Sequence, residues 1–232
     1  MTQVNFMRHA SYFGPEDAAD KTLTIIGAGA TGSWVALIAA KMGWHNFSIW
    51  DSDIVESHNL PNQVYGVEHI GMQKVDALEQ VLKAFNPQCS VEKHNEFFIG
   101  SNEDHKSSLE DYVYVAVDSL SARKDIISNC FHLPFTDLIF ETKMGFEHAE
   151  INIFSPSNEQ AMNSYLGMLK SDDEVEESAC DAKIITTLTT IVASTLVHAL
   201  CGHASLSRRG KNTFYDSKQI ISLQDKLTTI SF

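Results

Sequence analysis

Residues 23–63 read LTIIGAGATGSWVALIAAKMGWHNFSIWDSDIVESHNLPNQ, and this stretch decides the fold. A short apolar run (Leu23, Thr24, Ile25, Ile26) enters Gly27-Ala28-Gly29-Ala30-Thr31-Gly32 directly. An apolar helical pattern follows through Trp34, Val35, Leu37, Ile38 and Ala39, and Gly43 closes it. A second apolar run, 47–50, ends on Asp51. Strand, glycine turn, helix, strand, acid: this order predicts a βαβ unit that binds a nucleotide. Gly27 permits the tight turn, Gly29 lets the backbone approach a phosphate or ribose, and Gly32 lets helix and strand pack closely. The helix N-terminus offers free N–H groups and partial positive charge to an anion. Asp51 stands about 20 residues past the glycines, where a carboxylate accepts hydrogen bonds from ribose hydroxyls. The turn and Asp51 suit the NAD of an oxidoreductase equally well.

At 232 residues and 44% hydrophobic, the chain can bury a core as a single domain over 1–232. A formal net charge of −13 argues against nonspecific nucleic-acid binding and against an anionic membrane surface. An acidic protein that holds a triphosphate must gather its cations locally, so individual Lys and Arg positions matter. Cys89, Cys130, Cys180 and Cys201 are scattered without a C-x-x-C pair, which fits reduced thiols and argues against zinc. Residues 1–13, MTQVNFMRHASYF, hold no continuous apolar segment of signal-peptide type, so a cytoplasmic protein is expected.

Residues 1–20 are polar and mixed, and read as a surface arm carrying Arg8. Beyond Asp51 a loop precedes a helix over 72–85, with Val75, Leu78, Leu82 and Phe85 on one face and Asn86-Pro87 as its stop. Lys74 falls in the first turn, where a cation gains nothing from the helix dipole; it is either a solvated lysine or one facing an anion. Val91 marks a short strand, and 102–110 reads as a brief helix at most. The run 112–117, YVYVAV, is a buried strand ending at Asp118, which a doubly wound sheet places on the same rim as the glycine turn. Asp118 also suits the N-cap of a helix over 120–131. Strands over 138–141 and 151–154 are expected to pair around Gly145. The stretch 155–180 carries Asp172, Asp173, Glu174, Glu176 and Glu177 and reads as a solvated, mobile crossover loop. Thr and Ser interrupt the apolar run 184–200, which therefore reads as a buried helix ending at Gly202 rather than a membrane span. Phe214-Tyr215 and Ile220-Ile221 suggest a terminal hairpin.

The segment 51–63, DSDIVESHNLPNQ, resembles the D-x-D-x-V-x-x-S-N-L-x-R-Q signature of the MoeB/ThiF and ubiquitin-activating superfamily. Residues 70–75, IGMQKV, resemble its I-G-x-x-K-V, and Val117-Asp118-Ser119 with Arg123 resembles its D-N-x-x-x-R stretch. The resemblance implies a Rossmann-like, doubly wound α/β fold with a mostly parallel sheet and an antiparallel C-terminal part. It implies adenylation, with ATP and Mg²⁺, of the C-terminal carboxylate of a ubiquitin-like or sulfur-carrier protein ending in Gly-Gly, by a homodimer. Carried onto these residues, Gly27, Gly29 and Gly32 form the nucleotide turn, Asp51 binds the ribose, Asn59 and Lys74 approach the phosphates, and Asp53 belongs to the same nucleotide site. Asn62, Gln63 and Arg123 complete the nucleotide site, and Asp118 holds Mg²⁺. Arg8 reaches ATP across the dimer interface. Cys180 is a candidate thioester acceptor; Asp181 beside it opposes thiolate formation, and an inert thiol is the other reading. One departure stands out: Asn62 replaces the signature arginine and supplies neither charge nor a planar fork. That substitution keeps open a non-catalytic, partner-binding scaffold.

Overall fold

The computed structural model describes residues 4–145, 147–169, 186–211, 217–223 and 228–231. Eight strands form one sheet in the order β3-β2-β1-β4-β5-β6-β7-β8. They are β1 (Thr22–Ile26), β2 (Asn46–Trp50), β3 (Ser90–His94), β4 (Asp111–Val115), β5 (Thr136–Met144), β6 (His148–Phe154), β7 (Ser217–Ser222) and β8 (Thr228–Ser231). The first five in spatial order pair in parallel. The pairs β5–β6, β6–β7 and β7–β8 are antiparallel. This is the doubly wound α/β fold with an antiparallel extension, and its strand order reverses between β1 and β4, where such folds hold ligands.

Among the described residues six helices accompany the sheet: α1 (Ala30–Met42), α2 (Lys74–Phe85), α3 (Glu103–Ser107), α4 (Leu120–Ser128), α5 (Glu159–Met168) and α6 (Thr186–Arg208). The inner parallel strands β1, β2, β4 and β5 are buried on both faces because alternate side chains enter separate cores, whereas the edge strand β3 is largely exposed. Leu23, Ile25, Tyr112, Tyr114 and Phe140 point to the side of α1, α2 and α6, joining Val35, Leu78 and Leu196. Ile26, Val113, Val115 and Ile139 point to the other side, joining Ile126 of α4 and Met162 and Tyr165 of α5.

Several expectations from the sequence need correction. Arg8 is exposed, but the segment around it is no free arm: Phe13 is fully buried and stacks on Trp44 at 5.9 Å, and Ala18 is fully buried too. Tyr12 donates to the His198 carbonyl of α6, and Arg208 pairs with Asp17 at 3.2 Å. The first part of 155–180 is helical, because Asn158 caps α5 by accepting from the Ala161 amide and Met162 and Tyr165 bury one face. Asp172, Asp173, Glu174, Glu176 and Glu177 lie outside the described residues, as does Phe214-Tyr215. Gly202 does not end α6; it is buried inside the helix, at a cost of about 1 kcal/mol relative to alanine. Ile220-Ile221 belongs to β7, and the terminal hairpin is formed by β7 and β8. Ser119 rather than Asp118 caps α4, its Oγ accepting from the Ala122 amide at 3.2 Å. By length and composition α6 could span a membrane, yet it is a core helix, with Leu188, Val192, Leu196 and Leu200 fully buried.

Candidate nucleotide site

The carboxyl ends of β1, β2 and β4 converge on the glycine turn. Gly27 adopts φ +103° and lies so close to β4 that a Cβ would sit 2.7 Å from the Ala116 carbonyl oxygen. A Cβ on Gly32 would lie 1.8 Å from the Gly27 carbonyl oxygen, which explains the glycine at the first turn of α1. Gly29 differs: a Cβ there would meet nothing within 4 Å. It is the N-cap of α1 and, as glycine, brings no side chain of its own to cap the first amides at the positive end of the helix.

Asp51 closes one side of the turn. One carboxylate oxygen accepts from the Ala28 amide at 2.7 Å and the other from the Asp53 amide at 2.8 Å. Burial lifts its pKa above the ordinary aspartate value, opposed by the nearby Lys74 and by these hydrogen bonds. Lys74 is 7% exposed, with Nζ 2.7 Å from Asp53 Oδ2 and 4.0 Å from Asp51 Oδ1. Its backbone amide also donates to the Asp53 carbonyl. Asp53, Asn59 and Lys74, with Ser52, Ile54, Glu56 and His58, line an open depression of about 430 Å³ beside the turn. Asn59 is fixed by its own loop, since its Oδ1 accepts from the Glu56 amide.

Asn62 and Gln63 follow in the same loop. The Asn62 carbonyl accepts from Trp34 Nε1 of α1, which ties the loop to the helix behind the turn. The side-chain oxygens of both residues are buried without a hydrogen-bond partner among the described residues. Asp118 stands exposed at the end of β4, two residues past the Ala116 carbonyl that touches Gly27. Ser119 does the capping, so the Asp118 carboxylate is not committed to α4. No cluster of three or more metal-ligating side chains occurs among the described residues. A single exposed carboxylate such as Asp118 could still take part in holding Mg²⁺, which is bound by one or two carboxylates with phosphate oxygens and water.

The structure therefore brings together Gly27, Gly29, Gly32, Asp51, Asp53, Asn59 and Lys74, with Asp118 across the turn. Arg123 is turned inward: it is 7% exposed, donates to the Val117 carbonyl at 2.6 Å, and its Nε lies 3.2 Å from Glu141 Oε1. Burial pushes the Glu141 carboxyl above its ordinary pKa, and Arg123 opposes this. Arg8 sits beside His9, whose ring hydrogen-bonds the Met42 carbonyl at the far end of α1. At 1.5 Å per residue that end is about 20 Å from the glycine turn. Cys180 lies outside the described residues. Two residues of this region went unmarked in the sequence, Tyr65 and Glu141; neither follows an apolar period, and each acquires its role from a partner distant in sequence.

Residues 2–226 match the ThiF family. The chain belongs to the ThiF family. Among curated relatives it is 31% identical over 126 residues to ubiquitin-like modifier-activating enzyme 5 of Caenorhabditis briggsae, covering 50% of this chain and 29% of the relative. It is 28% identical over 110 residues to the tRNA threonylcarbamoyladenosine dehydratase of Haemophilus influenzae, covering 47% and 42%. It is 22% identical over 182 residues to the probable molybdopterin-synthase adenylyltransferase of Porphyra purpurea, covering 78% and 47%. The matches thus span less than half the length of these relatives. Two solved structures share the fold. PaaA superposes with a TM-score of 0.72 at 21% identity, and E. coli MccB determined with ATP superposes at 0.71 and 14%; each comparison covers 94% of this chain and 65% of the other.

Proposed function

We propose that this ThiF-family chain binds ATP across the carboxyl edge of its sheet and transfers the adenylyl group to a protein's C-terminal carboxylate. The acceptor of the adenylyl group is a ubiquitin-like or sulfur-carrier protein ending in Gly-Gly. The observation that carries this reading is the open N-terminus of α1 at Gly29, with Asp51, Lys74 and Asn59 on one side and Asp118 on the other. The ubiquitin-like modifier-activating and adenylyltransferase relatives support the same chemistry.

The attacking carboxylate is ionised at neutral pH, so no general base is required. It attacks the α-phosphorus, a new P–O bond forms, and the bond to pyrophosphate breaks. Asp51 receives the ribose hydroxyls on its remaining lone pairs, and the α1 N-terminus receives phosphate oxygens. Lys74 exchanges its Asp53 partner for phosphate and supplies positive charge in a half-dry site. Asp118 would hold Mg²⁺, which supplies charge neutralisation at the phosphates when bound. Positioning and charge stabilisation do most of the work.

The test is ATP–pyrophosphate exchange with Mg-ATP and a carrier protein ending in Gly-Gly. Exchange that falls by about 10³-fold in Asp118→Ala, with folding intact, supports the reading. A second reading, a partner-binding scaffold, is favoured by the rim's charge: Asn62 is neutral and Arg123 is spent on Glu141. Tight carrier binding without exchange would establish it and end the first. Exchange driven by a small or modified-nucleoside carboxylate would keep the chemistry and replace the partner. A net charge of −13 weighs against a whole tRNA in that place. Cys180 as a thioester acceptor predicts a thiol-labile carrier adduct that Cys180→Ser abolishes.

A further inference from the structure

The loop between β2 and α2 holds a buried tyrosine to which the mechanism above gives no task. Tyr65 is 4% exposed, and its hydroxyl donates to the Ala28 carbonyl oxygen at 2.7 Å. The same hydroxyl lies 3.5 Å from the Lys74 carbonyl oxygen, and the ring meets His69 edge-on at 6.2 Å. His69 is itself fixed, its Nδ1 accepting from the Gly66 amide at 2.9 Å. Ala28 is thus gripped on both sides, its amide by Asp51 and its carbonyl by Tyr65.

The geometry of the peptide unit carries the rest. The Ala28 carbonyl and the Gly29 N–H belong to one planar trans peptide, so they point in opposite directions. A hydroxyl that draws the carbonyl into the protein therefore turns the Gly29 N–H out of it. Among the described residues no atom lies within 4 Å of where a Gly29 Cβ would sit, and Gly29, as the N-cap, has no side chain of its own to cap the helix. Burial, together with the Asp51 charge, raises the Tyr65 phenol well above its ordinary pKa, which keeps it a neutral donor.

We propose that Tyr65 is a positioning residue for phosphate binding: its hydroxyl locks the Ala28–Gly29 peptide with the Gly29 N–H aimed at a nucleotide phosphate. The proposal rests on the nucleotide reading and adds a residue to it. Without the hydroxyl, the Ala28 carbonyl is left buried and unpaired, and the peptide is free to rotate toward another partner. The Gly29 N–H then loses its aim, while Asp51 and the sugar side of the site keep theirs.

The experiment compares ATP and adenosine binding to the wild-type chain and to Tyr65→Phe, with thermal melts to verify folding. The expected result is an ATP affinity about tenfold weaker in Tyr65→Phe, the loss of one charge-assisted hydrogen bond, with adenosine unchanged. In ¹H–¹⁵N spectra, Mg-ATP should shift the Gly29 amide strongly in the wild type and weakly in the variant. Equal ATP affinities, or equal losses for ATP and adenosine, would overturn the proposal and leave Tyr65 a structural tie. Failure of the folded wild type to bind ATP at all would instead remove the nucleotide reading, and this role with it.

Discussion

Gly29 and Gly32 share one turn but face opposite constraints. A methyl on Gly32 collides with the Gly27 carbonyl, which belongs to backbone that cannot yield, whereas a methyl on Gly29 enters empty space. Gly32→Ala should therefore lower stability by about 3 kcal/mol, read as a shift in the urea midpoint. Gly29→Ala should shift the midpoint far less, by under about 1 kcal/mol, since the methyl meets no atom within 4 Å. Its effect should fall on ligand: ATP affinity drops about tenfold, because the methyl occupies the approach to the α1 N-terminus. A Gly29→Ala protein that binds ATP as the wild type does would place the phosphates elsewhere.

At the scale of elements, two buried polar contacts hold helices to the sheet, and the sequence named neither pairing. The first joins α4 to β5 through Arg123 and Glu141, with Asn152 of β6 donating to the other Glu141 oxygen at 2.9 Å. Removing one partner strands a buried charge, so Glu141→Ala should cost about 3–5 kcal/mol, whereas replacing both partners with leucine should cost far less. Urea titrations of the three proteins decide this; equal losses would mean packing, not charge, governs the contact. The second joins α6 to β4, where Tyr112 and His203 Nδ1 lie 2.8 Å apart. Burial depresses the His203 pKa from 6.5, while Asp137 opposes and Lys21 assists the shift. The unfolded chain therefore binds the proton more readily than the folded one. The His203 contribution is fully present above about pH 6.5 and is lost as pH falls from there toward the depressed value. Stability should rise from pH 5 to 7 more steeply in the wild type than in His203→Phe; identical slopes would discount it. What the sequence did make legible was periodic or punctuated: β1, the glycine turn, α1 and β2 within a residue or two, and the rim position of Asp118. Glu141 was not legible because an acid inside an apolar strand breaks the period without naming its partner. Arg123 matched a signature position, but only the fold shows that its charge is spent inward.

Across the whole molecule, Arg8 lies far from the glycine turn of its own chain. The N-terminal segment is not free to carry Arg8 across, because Phe13 is buried on Trp44, Tyr12 is bonded to α6 and His9 to the end of α1. About 20 Å of helix lies between that end and Gly29, several times the length of an arginine side chain. If Arg8 serves catalysis, it does so at the site of a second copy, and the two functional groups of one site come from different chains. Arg8→Ala and Asp118→Ala should then each lose pyrophosphate exchange when assayed alone. When the two are mixed and allowed to exchange subunits, half the dimers pair one variant with the other. Each such dimer holds one site with both residues intact and one site with neither. Activity should return to about a quarter of the wild-type value, as C₂ pairing requires. A mixture that stays silent, after subunit exchange is demonstrated by native mass spectrometry, would confine Arg8 to its own chain and remove it from the site. Recovery would explain how a rim with a neutral Asn62 and an inward Arg123 still assembles enough positive charge to hold a triphosphate.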